Sequence, residues 1–165
     1  MLALSERRTD TLHEITAMCA SVLNTMVVFL YWKLYLTDPA LVNGNGPLVW
    51  YQEYYLHGLG PALQIIDALF IARAFKRPLR AVPVLLSIIL TYVLFSELFV
   101  QRFNDTPLGS VTSGLPYPFL NSMVFGERAG FYGFNAAVSL AILLAFAGIA
   151  WAINRVIFRP VSAER

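Results

Sequence analysis

Residues 47 to 75 read PLVWYQEYYLHGLGPALQIIDALFIARAF. At about 1.5 Å per residue this stretch is long enough to cross a hydrocarbon layer roughly 30 Å thick. Most of it is apolar, yet it carries Glu53, His57, Gln64 and Asp67. Together with Gly60 these residues fall on one face of a regular helix, because they recur every three or four positions. A charged group at mid-bilayer costs about 2.5–3.5 kcal/mol on insertion scales, so such groups face a bundle interior or a watery cavity. The face is therefore expected to wall a polar pocket inside a membrane protein.

The rest of the composition agrees. Of 165 residues, 58% are hydrophobic and 13% charged, where a soluble domain carries about 25% charge. The net charge of +2 is too small for nucleic-acid binding, and the basic residues form no aromatic-interleaved patch. The single cysteine, Cys19, rules out an intrachain disulfide and any CxxC metal site. It is expected to be a buried, inert thiol. HExxH, GxSxG, P-loop and dinucleotide-binding patterns are absent from the sequence, so neither a metal nor a cofactor is expected.

Four apolar runs follow one another without a repeat or a second domain. The reading is an all-α bundle, a single membrane domain over residues 1–165, with spans at about 14–36, 47–75, 79–101 and 130–157. The first run is longer than a secretory h-region and lacks a small-residue cleavage site, so it is read as a span. Pro47 suits a first helical position. Pro61 is expected to kink the second span by removing one backbone hydrogen bond, with Gly58 and Gly60 leaving space beside it. The long connection 102–129 is rich in turn formers but carries Phe119, Leu120 and Phe125. It is expected to fold over the mouth of the bundle.

Arg7 and Arg8, the cluster Arg73, Lys76, Arg77 and Arg80, and the tail's Arg155, Arg159 and Arg165 all share one side of such a bundle. The two opposite loops hold only Arg102 and Arg128. The positive-inside rule places both termini in the cytosol. His57 and Glu97 then lie about 8–15 Å from the outer ends of their helices, placed to share a pocket under the long loop.

His57 is the leading catalytic candidate. Neutral imidazole can take a proton from a nucleophile and return it to a leaving group. The competing reading is a histidine that ties two helices by a hydrogen bond. Glu97, Asp67 and Gln64 complete the expected polar pocket, either orienting His57 and setting its charge or acting as buried ties. A proton relay through His57, Asp67 and Glu97 is a further alternative, that of a proton-coupled transporter.

Several residues recur in a recognisable order. His57 stands four before Pro61, followed by Asp67, the basic turn Arg77-Pro78, Tyr92, and then Gly114-Leu115-Pro116-Tyr117-Pro118-Phe119-Leu120. This order resembles the androgen-induced-gene family of integral membrane proteins, relatives of the androgen-dependent TFPI-regulating protein. The resemblance covers roughly residues 17–134. It implies a threonine-type hydrolase embedded in the bilayer that cleaves fatty acid esters of hydroxy fatty acids. Membrane lipids would then be the partners, a lipid ester the substrate, and His57 the general base. The family's threonine lies on an earlier helix with no matching position here, and Thr16, Thr25 and Thr91 do not inherit its role. The expectation is thus a family member without the N-terminal helices. A non-catalytic, truncated or regulatory membrane protein is the alternative.

Overall fold

The computed structural model describes residues 2–39, 42, 49–103, 114–115 and 117–157. Among these residues the fold is all-helical. Helix α1 is Leu2–Thr37. Element α2, residues 50–71, runs through α-helix Trp50–Tyr54, a π-helical turn Tyr55–Leu59, α-helix Gly60–Ile66 and a second π-helical turn Asp67–Ile71. A 3-10 turn Pro78–Arg80 leads into α3, Ala81–Leu98, and another, Val100–Phe103, follows it. A single helical turn α4, Pro118–Asn121, precedes α5, Phe125–Val156.

Among the described residues three segments are long and apolar enough to cross a membrane: Thr11–Thr37, Pro78–Phe103 and Phe125–Val156. They make the chain a multi-pass integral membrane protein. The expected second span differs from the other three. Pro61 has no N–H to give, and residues 55–59 respond with a wider turn, so 50–71 is an interrupted helix and not one regular span. The last helix begins at Phe125, earlier than the expected 130, because the Glu127 carboxylate accepts the Val124 N–H at 3.1 Å and caps it. The connection 37–48, residues 104–113 and the tail from 158, with Arg159 and Arg165, lie outside the described residues, apart from 37–39 and 42.

Helices α1 and α2 run antiparallel, and three sets of polar contacts fix their register. At one end the Glu14 carboxylate accepts the backbone N–H groups of Lys76 and Arg77, at 3.1 and 3.2 Å. In the middle Gln64 meets Ser21 and Asn24. At the far end the Trp32 indole reaches His57. Element α2 ends at Ile71, Arg73 just beyond it takes a left-handed φ of 47°, and the Ala74 N–H reaches back to the Ala68 carbonyl at 2.9 Å.

The hydrophobic core gathers beside this link. Met18 and Val22 from α1, Ala68 and Leu69 from α2, Leu85 from α3 and Leu143 from α5 are buried together. Phe75 packs on Phe146 with ring centroids 5.3 Å apart. On α5 the inward residues Arg128, Ser139, Leu143, Phe146 and Ala150 recur at helical spacing, while Leu90, Leu94 and Leu98 of α3 face outward, as lipid-facing residues do.

Candidate functional site

His57 sits inside the first π-helical turn, with non-helical φ −110° and ψ 19°. Its backbone carbonyl is the one whose helical partner would be the N–H of Pro61, four residues on. The Trp32 indole supplies the missing donor, Nε1–H to the His57 carbonyl at 2.8 Å. The imidazole lies flat on the Tyr31 ring, centroids 3.7 Å apart and planes 1° from parallel. Its Nδ1 stands 3.1 Å from a Glu53 carboxylate oxygen. That is ion-pair distance, but the angle falls short of hydrogen-bond alignment. The ring is thus fixed by a stack on one face, a carboxylate at one nitrogen and an anchored backbone. Gly60 makes room here: a Cβ on it would lie 3.1 Å from the Tyr55 carbonyl oxygen that the π turn brings close, a tight contact.

Gln64 lies seven residues, about two turns, further along and works as a tie. Its amide Nε2 donates to Ser21 Oγ at 3.1 Å and to the Ala17 carbonyl at 3.4 Å, and its Oε1 accepts from Asn24 at 3.2 Å. Asp67 leaves the face. It is exposed, whereas Pro61 and Ala68 are buried. The π turn adds a residue to the repeat and moves the buried stripe one position on, so that it passes through Pro61, Ile65 and Ala68.

Glu97 belongs to a second cluster. The Arg128 guanidinium grips its carboxylate with Nε and Nη2, each at 2.8 Å, and the Tyr132 hydroxyl donates to it at 2.9 Å. Arg128 also donates from Nη1 to the Met123 carbonyl at 2.6 Å. Glu97 is therefore engaged with α5, and no hydrogen bond or ion pair links it to His57 among the described residues. The structure brings Glu53, His57 and Gln64 to the α1–α2 interface and keeps Glu97 and Asp67 out of it.

Sequence reasoning missed Tyr31, Trp32, Arg128 and Tyr132. Two signals could have found them. A proline four residues after His57 implies an orphan carbonyl there that needs an outside donor. An arginine three residues into a long apolar run implies a buried acid to meet it.

The described part of the long connection adds a third group. Gly114 adopts φ 104°, which suits glycine alone, and the Asn121 side-chain oxygen accepts the Leu115 N–H at 2.7 Å. This closes the segment around Tyr117 and Leu120 into a compact turn against the bundle.

No match was found among curated proteins or solved structures. The family model described as FAR-17a/AIG1-like protein matches residues 3–150. That range includes the interrupted helix with His57, the Glu97–Arg128 pair and the Tyr117 turn, and the chain therefore belongs to the FAR-17a/AIG1-like, or androgen-induced-gene, family.

Proposed function

We propose that this chain is an intramembrane lipid-ester hydrolase with His57 as its general base. The observation that carries the reading is the pairing of His57 Nδ1 with Glu53 at 3.1 Å. A carboxylate beside Nδ1 favours the proton on that nitrogen and leaves the Nε2 lone pair to accept one from an attacking hydroxyl or water. The same proton then passes to the departing alkoxide. Stacking on Tyr31 holds the ring plane through both transfers. The resemblance to androgen-induced-gene proteins supports a fatty ester as substrate, reaching the site sideways from the bilayer.

The reading includes a topology. Residues 50–71 cross the membrane as a fourth, interrupted span antiparallel to α1. The basic link with Arg73, Lys76, Arg77 and Arg80 faces the cytosol, as do both termini.

The test is hydrolysis of a fatty acid ester of a hydroxy fatty acid by purified protein in liposomes, together with labelling by a fluorophosphonate probe. Turnover is expected to drop by about 10²–10⁴ in His57→Ala. Unchanged turnover in that variant would sink the assignment. A labelled residue would identify the nucleophile.

A second reading, a non-catalytic membrane protein of the same family, is favoured by one observation. The Thr16 and Thr25 hydroxyls donate to carbonyls of their own helix, at 2.9 and 2.8 Å, and no described hydroxyl bonds to His57. Absence of both turnover and labelling in folded protein selects it. The geometry does not favour a proton relay, since His57, Asp67 and Glu97 stand apart.

A further inference from the structure

The core fills only the half of the bundle next to the link at residues 72–80. In the other half α1, α3 and α5 part around a cavity of about 360 Å³, within the size range of ligand pockets. Leu23, Met26 and Leu30 of α1 and Ile88 and Val93 of α3 give it apolar walls. Tyr92, Tyr117, Tyr132, Asn135 and Ser139 are the polar residues of its lining. Among the described residues no lysine, arginine, aspartate or glutamate lines it.

The polar atoms differ in what they have left to offer. The Tyr132 hydroxyl is given to Glu97 at 2.9 Å, and the Asn135 amide N–H to the Phe131 carbonyl at 2.7 Å. No hydrogen bond from the Tyr92 or Tyr117 hydroxyl is found among the described residues. Burial first, and then the nearby Tyr92 phenol, hold the Tyr117 hydroxyl above its ordinary titration range, so it remains a neutral donor. Arg128, whose partner Glu97 also takes the Tyr132 hydroxyl, is spent on Glu97 and on the Met123 carbonyl.

A way in exists from the lipid side. A more open hollow on the outer face of α3, lined by Pro83, Ser87, Thr91 and Phe95, shares Ile88 and Tyr92 with the cavity. Those two side chains form the partition between bilayer and interior.

We propose that this cavity binds a single-chain neutral lipid, admitted past Ile88 and Tyr92, whose uncharged hydroxyl or ester end is held by the Tyr92 and Tyr117 hydroxyls. At roughly 30 Å³ per water-sized unit the space takes about a dozen such units, the bulk of one acyl chain. A free carboxylate finds no counter-charge there and is rejected. The site is separate from His57, because Leu30 faces the cavity while its neighbours Tyr31 and Trp32 turn to α2. The inference therefore stands whether or not the hydrolase reading does.

A diazirine-bearing dodecanol in phosphatidylcholine liposomes containing the full chain tests it. Photolabel is expected on residues 23–30, 88–93 and 131–139. Unlabelled dodecanol should compete at least tenfold better than laurate at pH 9. Tyr92→Phe/Tyr117→Phe keeps the shape, and it should abolish the preference for dodecanol over dodecane. Val93→Trp, which fills the space, should remove the label. His57→Ala should leave labelling unchanged. Label spread evenly over the lipid-facing helices, equal competition by laurate, or a double phenylalanine variant that still prefers dodecanol would each overturn the proposal. Loss of label in His57→Ala would overturn the separation of the two sites.

Discussion

At the scale of single residues the molecule turns on a missing hydrogen atom. Pro61 cannot donate to the His57 carbonyl, and Trp32 donates in its place at 2.8 Å. Trp32→Phe keeps an aromatic ring but leaves that carbonyl unmet, which is expected to cost about 1–3 kcal/mol. Pro61→Ala restores the intrahelical donor, so Trp32→Phe should cost much less in its presence. Thermal unfolding of the four proteins in detergent measures the coupling, and strictly additive losses would refute it. Glu53, His57 and Gln64 were legible in the sequence as polar positions at helical spacing, although the π-helical turn at 55–59 interrupts the regular helix between Glu53 and Gln64. Asp67 was not, since a π-helical turn shifts the phase by one residue and no local pattern announces it.

Among elements, the α3–α5 contact depends on a buried ion pair. Both side chains are largely enclosed, Arg128 at 8% and Glu97 at 12% exposure, so removing one partner strands the other's charge. Arg128→Met is expected to lower stability by about 3–5 kcal/mol. Glu97→Leu combined with Arg128→Met should recover most of that, as read from unfolding midpoints in detergent. A double variant no better than the single one would show that the pair does more than cancel its own burial. The apolar runs of α1, α3 and α5 were plain in the sequence. The Glu97–Arg128 partnership was not, because the expected fourth span began after Arg128 and left it in a loop, where a cation needs no partner. The true start is set by Glu127, a cap that works through the backbone and leaves the hydrophobic pattern unchanged.

Across the whole molecule the proposed topology rests on the path of residues 50–71. With Cys19 replaced by alanine, a cysteine at Tyr54 and one at Lys76 should react with a membrane-impermeant maleimide from opposite faces of sealed vesicles. Reaction from the same face would make the segment re-entrant and reduce the spans to three. The antiparallel register with α1 also has a consequence in time. Asn24 bonds to Gln64 across a separation of 40 residues. At roughly 5–20 residues per second, ribosomes deliver Gln64 about 2–8 s after Asn24. Ser21 and Asn24 therefore leave the ribosome that much earlier than Gln64 and are deprived of their eventual partner until it arrives. Biosynthesis thus passes through a vulnerable stage, in which a passing insertase or a foreign polar helix competes for the place that Gln64 will take.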